Sequence, residues 1–151
     1  MNVGLQDRQL TLSRLVHASP AKVWTCWTDP ALIQRWFGPD GHSCITKEIN
    51  LVQGGVWRFD MIGPDGTVWR NRHRITLYDP TTRIEFLMDA DDDATQPMQA
   101  VITMTPEGTG TRLTQTLTLP SAEAKAGALA YGADRLGAQT HGKLAAVAEA
   151  L

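Results

Sequence analysis

Only two cysteines, Cys26 and Cys44, occur in 151 residues, which excludes a disulfide framework and leaves reduced, partly buried thiols as the expectation. There is no basic block: fourteen Lys+Arg stand against sixteen Asp+Glu, a formal charge of -2. Neither a nucleic-acid backbone nor an anionic lipid surface is therefore a fitting partner. There is no apolar leader, since residues 1–10 carry Asp7 and Arg8, and no apolar run approaches membrane-spanning length. A cytoplasmic location without membrane insertion is the expectation. Internal repeats and low-complexity linkers are missing too, so one domain over residues 1–151 should carry everything.

Common catalytic signatures are equally scarce. The chain has no Gly-x-Ser-x-Gly, no Gly-x-x-x-x-Gly-Lys and no Gly-x-Gly-x-x-Gly opening a helix after a strand. Cys26, His42 and Cys44 lack a Cys-x-x-Cys pair and a fourth ligand, so no metal is expected there. The run Asp89-Ala90-Asp91-Asp92-Asp93 has Ala94 where a calcium loop needs glycine and Ala100 where it needs a bidentate glutamate. It reads as a solvated hairpin loop, and no cofactor is expected.

What is present is ordinary globular composition, 42% hydrophobic and 20% charged. Alternation over residues 8–16 predicts an opening strand. Ser19-Pro20 and Asp29-Pro30 are each a capping residue followed by a proline suited to the first helical turn. They predict two short helices, residues 21–28 and 31–36. Trp24, Trp27, Leu32 and Ile33 on these helices would close one end of the fold, as plain packing or as a gate. From Ser43 to Leu119, turns at Gln53-Gly54-Gly55, Gly63-Pro64-Asp65-Gly66, Asp79-Pro80-Thr81-Thr82 and Pro106-Glu107-Gly108-Thr109-Gly110 divide a run of strands, which implies an antiparallel meander.

The period of two puts Trp57, Phe59 and Met61 on the apolar face. It adds Trp69, Asn71, His73, Ile75 and Leu77, then Ile84, Phe86 and Met88, and finally Met98 to Met104 and Leu113 to Leu119 in alternation. Arg58, Arg70, Arg72 and Arg74 look outward. Residues 122–151 hold no proline, and Leu129, Leu136, Thr140, Leu144, Val147 and Leu151 recur at three- or four-residue spacing. One helix about 45 Å long is predicted, weakened at Gly127, Gly132, Gly137 and Gly142. The class is α+β: about six to seven antiparallel strands, two short helices after the first, and a long C-terminal helix across the sheet.

That order, with the wording of particular segments, resembles the SRPBCC superfamily (START-like, helix-grip) and, within it, the family named after the activator of heat-shock protein 90 ATPase. The segments are Arg14-Leu15-Val16-His17-Ala18-Ser19-Pro20-Ala21-Lys22-Val23-Trp24, Trp27-Thr28-Asp29-Pro30, Trp36-Phe37-Gly38-Pro39, Gly54-Gly55-Val56-Trp57-Arg58, Pro64-Asp65-Gly66 and Gly110-Thr111-Arg112-Leu113-Thr114. The resemblance implies a curved sheet gripping the C-terminal helix, with a cavity between them for lipids, hormones, aromatic polyketides or other apolar ligands. Two departures stand out. Thr140-His141-Gly142 occupies a place where the family often has Gly-Trp, which leaves room beside the sheet. His73 lies where a small residue is usual.

A cavity of that kind needs apolar walls and a few convergent polar groups. Trp36, Trp57, Phe59, Trp69 and Phe86 supply walls by their predicted facing, with Leu136 and Thr140 on the helix. Asn71, His73 and Gln115 supply polarity. The competing reading is a filled core in which Asn71, His73 and Gln115 bond one another, since each would be costly if buried unpaired. The leading expectation is binding of an apolar or aromatic small molecule, with no catalytic residue assigned. The alternatives are a protein-interaction or co-chaperone-like module and a cyclase- or dehydratase-like enzyme using His73 as acid or base. A homodimer is possible.

Overall fold

The computed structural model describes residues 5–151. Residues 1–4, part of the stretch in which no apolar leader is expected, lie outside the described residues. A 3-10 turn at Leu5–Arg8 leads into β1 (Gln9–Val16), α1 (Pro20–Thr28), α2 (Pro30–Trp36) and β2 (Ser43–Ile49). Then come β3 (Val56–Ile62), β4 (Val68–Asp79), β5 (Arg83–Asp89), β6 (Met98–Glu107), β7 (Gly110–Thr118), α3 (Ala122–Tyr131) and α4 (Ala133–Glu149).

The local signals act as their chemistry requires. Ser19 Oγ accepts from Lys22 N–H at 3.3 Å, Asp29 Oδ1 accepts from Ala31 N–H at 2.9 Å, and Pro20 and Pro30 open the helices. The strands form one curved antiparallel sheet in the order β1-β7-β6-β5-β4-β3-β2. β2 to β7 are sequential hairpins, and β1 returns to pair with β7 because α1 and α2 carry the chain across the sheet between β1 and β2.

The sheet's inner face and the helices enclose the core. Val16, Trp36, Trp57, Phe59, Ile102, Leu113 and Leu144 are wholly buried, each worth roughly 1.5–3 kcal/mol relative to exposure. Trp27 and Ile33 are buried as well, and Trp24 sets its ring edge against Tyr78 at 4.8 Å. These short-helix residues are packing.

Three local expectations are corrected. The helix expected over residues 122–151 is two helices, broken at Gly132, whose φ of 95° lies in the left-handed region that glycine alone enters freely. The break shifts the phase of the apolar stripe, so α3 buries no residue and Leu129 is exposed, whereas α4 buries His141, Leu144, Ala145 and Ala148. In β4 a bulge between Ile75 and Leu77 reverses the alternation. Leu77 consequently sits opposite the outward Glu85, and Tyr78, opposite Ile84, packs on the core.

The third correction concerns the acidic loop after β5, which is folded down onto the outer face of the sheet. Asp89, with its side chain 1% exposed, accepts from Arg72 at 2.7 Å and Arg74 at 3.1 Å. Asp91, 6% exposed, accepts from Arg58 and Lys47. The outward arginines thus have buried carboxylates as partners, and the loop they hold forms one wall of the groove described next.

Candidate functional site

Between the inner face of the sheet and α3–α4 runs a groove of about 840 Å³. Met61, Trp69, Asn71, Met88 and Met98 line it from the strands, Leu119 and Pro120 from the end of the sheet, and Ala124, Tyr131 and Leu136 from the helices. Ala90, Thr95 and Gln96 of the tethered loop close another side. Trp69 is 41% exposed at its rim. Its ring lies over Gly63, where a Cβ would come within 2.8 Å of Cζ3, and stacks beside His42 at 5.8 Å. Asn71 Nδ2 donates to the Trp69 carbonyl at 3.0 Å, tying the amide to its own strand.

Inward of the groove is a chamber of about 110 Å³, with Pro39, Met61 and Met88 common to both. Phe37, Phe86 and Gly137 complete the apolar part, and Gln115, Thr140 and His141 form a polar end. Gln115 Oε1 and His141 Nε2 are 3.1 Å apart. A carbonyl oxygen can only accept, so His141 carries its proton on Nε2. Burial, with the nearby Arg14 charge adding to it, lowers the His141 pKa to about 4. Thr140 Oγ1 donates to Leu136 O at 3.1 Å. Lys143 Nζ donates to Gly38 O at 3.0 Å and Pro39 O at 3.4 Å, and Asp40 N–H donates to Gln139 Oε1 at 3.2 Å. The chain leaving α2 is clamped to α4 by these bonds, which fixes that side of the chamber.

His73 stands apart from both spaces. It is 4% exposed, surrounded by the rings of Phe37, Trp57, Phe59 and Phe86 at centroid distances of 4.5–5.4 Å, and its Nε2 has no hydrogen-bond partner among the described residues. Burial lowers its pKa to about 3, against a smaller opposing effect of Asp89. It borders only a void of about 20 Å³ shared with Trp27, Trp57, Tyr78 and Phe86.

The expected site residues therefore separate. Trp69, Asn71 and Leu136 line the groove; Phe86, Gln115 and Thr140 line the chamber; Trp57 and His73 border the small void. Trp36, whose Nε1 donates to Cys26 O at 2.9 Å, and Phe59, stacked on Trp57 at 3.8 Å, are core and line none of the three. Asn71, His73 and Gln115 do not bond one another. The sequence reading missed His141 as Gln115's partner, and the only sequence signal for it was the departure at Thr140-His141-Gly142.

Cys44 Sγ donates to Phe37 O at 3.3 Å, and burial raises both thiols to about 11, so neither is a thiolate near neutrality. Among the described residues no three His, Cys, Asp or Glu side chains gather as metal ligands, and no helix is long and apolar enough to cross a membrane.

The model of the family described as activator of Hsp90 ATPase homolog 1-like protein matches residues 17–149. A crystal structure of a protein from Mycobacterium smegmatis is 27% identical, with a TM-score of 0.86 over 99% of this chain and 96% of the other. A solution structure from Arthrobacter aurescens is 22% identical with a TM-score of 0.86, covering 99% and 91%. The crystal structure of the AHSA1 protein from Silicibacter pomeroyi is 21% identical with a TM-score of 0.73, covering 91% and 95%. The last two are likenesses of fold. No curated protein matches the chain.

Proposed function

The chain belongs to the activator of Hsp90 ATPase homolog 1-like family, and we propose that it binds an apolar or aromatic small molecule between the sheet and the C-terminal helices. The observation that carries this reading is the groove of about 840 Å³ leading to a chamber with one polar end, which is the pattern of a small-molecule site. Trp69, Leu136 and Phe86 are its apolar contacts, and Asn71, Gln115 and Thr140 its polar ones. Met61, Met88 and Met98 make the walls adaptable, because an unbranched thioether refits to different shapes at low cost. Two free thiols, neither paired, agree with a cytoplasmic setting.

A second reading, an interaction module, draws on Trp69 and Tyr131, which line the groove and are 41% and 71% exposed, and on Leu129, 41% exposed elsewhere on α3. An enzyme using His73 has less support, since that ring is neutral at physiological pH and touches aromatic rings in place of the groove.

Native mass spectrometry of freshly purified protein, beside the same sample after denaturing extraction, tests the reading. A co-purified apolar molecule of definite mass supports it. An empty protein that gains mass only with a partner chain favours the interaction module.

A further inference from the structure

The inner chamber is too small for a whole polycyclic ligand. Its 110 Å³ is somewhat below the roughly 150 Å³ of a cavity that holds benzene. One ring or a short chain end fits there when Met61 and Met88 adjust, and the rest of the molecule lies in the groove.

The chemistry of that buried end follows from what the chamber's polar groups have left to offer. Gln115 gives its Oε1 to His141, and its amide nitrogen, a donor, has no partner among the described residues. Thr140 gives its proton to Leu136 O, so its oxygen is left as an acceptor. The chamber's described lining includes no charged side chain. Lys143 points its ammonium at the Gly38 and Pro39 carbonyls, and Arg14, whose charge acts on His141, is not among the residues lining the chamber.

Open donors on the Gln115 amide beside open acceptors on Thr140 and on the second nitrogen of neutral His141, in an apolar, uncharged pocket, are the complement of a hydroxyl group, which both accepts and donates. A hydrocarbon end would leave the Gln115 amide dry and unpaired. A carboxylate would be buried without a cation. A ketone would meet the donor and leave the Thr140 oxygen unused.

We infer that the ligand is a neutral phenol or alcohol whose hydroxyl enters the chamber, accepting from Gln115 Nε2 and donating to Thr140 Oγ1, with its apolar body in the groove beside Trp69. This rests on the small-molecule reading above and names the class of molecule for the same site. His141 holds Gln115 in place and is a positioning residue. Its neutrality keeps the chamber free of positive charge, which is why an acid is not the expected occupant.

The test uses three probes of one shape, 2-naphthol, naphthalene and 2-naphthoate, titrated into the full chain while tryptophan indole resonances are followed. Burial alone ranks naphthalene first, because it is the most apolar. The inference ranks 2-naphthol first, about tenfold tighter than naphthalene, with 2-naphthoate weakest. Q115M and T140V should each erase the tenfold preference for 2-naphthol, while naphthalene binds no more weakly than before because the polar group it left unpaired is gone, which also shows that the variants keep the pocket. Equal affinity of 2-naphthol and naphthalene in the unsubstituted protein overturns the hydroxyl inference and leaves the cavity reading standing. A tenfold preference that survives both substitutions overturns the assignment to Gln115 and Thr140. No response to any of the three overturns the cavity reading as well.

Discussion

His73 lies nearly parallel to Phe86, ring centroids 4.5 Å apart and planes 22° from each other, with its Nε2 buried and unpartnered among the described residues. A polar nitrogen is thereby placed in an aromatic box, and the protein carries the desolvation of that nitrogen as a standing cost of roughly 1–3 kcal/mol.

Replacing it by a ring without nitrogen should relieve that cost. H73F is expected to stabilise the fold by about 1 kcal/mol in urea unfolding at pH 7, less than the full penalty because the ring shapes differ. A destabilised H73F would mean that the nitrogen has a partner the structure does not show.

The same burial sets a pH dependence. His73 and His141 have folded pKa values depressed to about 3 and about 4 from 6.5. Below pH 6.5 the unfolded chain takes up protons that the folded chain refuses, so this contribution to stability is complete above 6.5 and is lost as pH falls toward 4 and 3. The thermal midpoint should fall between pH 7 and pH 5, and H73F should fall less. Parallel curves for the two proteins would remove His73 from the explanation.

Asp89 is the buried centre of the arginine cluster on the outer face. D89N leaves Arg72 and Arg74 facing a neutral amide, and breaking a buried pair in this way should cost about 3 kcal/mol. Hydrogen exchange in residues 90–97 should also quicken, because one of the loop's tethers is gone while Asp91 still holds Arg58 and Lys47. Unchanged exchange there would show that the loop is held by the Asp91 pairs and its own turns, such as the Asp92 to Thr95 bonds.

Gly63 gives Trp69 its seat. G63A puts a methyl group 2.8 Å from Cζ3 of the indole, so the ring must swing outward. Tryptophan emission should shift to the red, with a stability loss of about 1 kcal/mol or less, since the indole is already partly solvated. An unmoved spectrum would place the emission signal elsewhere among the five tryptophans.

At the helix break, G132A forces a Cβ into φ 95°, a left-handed conformation costing about 1 kcal/mol. The variant should melt lower by that amount. A higher melting point, with added helicity by circular dichroism, would show that α3 and α4 can fuse into one helix.

Much of the fold could be read from neighbouring residues, because the forces involved act over a few positions. Ser19-Pro20 and Asp29-Pro30 start helices through bonds reaching two or three residues ahead, and a period of two assigns Trp57, Phe59, Ile102 and Leu113 to one face whatever lies opposite. Within the candidate site, Trp69, Asn71, Phe86, Gln115, Leu136 and Thr140 were legible as inward or helix-stripe positions for the same reason. What depended on distant partners was not legible. The bulge at Thr76 turns Leu77 outward only because β5 pairs where it does, and the acidic loop is buried only because Arg58, Arg72 and Arg74 face it from other strands. His73 looks like a cavity group by alternation, yet four rings from α2's exit and from the two neighbouring strands, β3 and β5, enclose it. Gln115 and His141 lie 26 residues apart. Their bond exists because α4 restarts after Gly132 in a new phase, and only the packed helix on the sheet decides which of its side chains that phase turns inward.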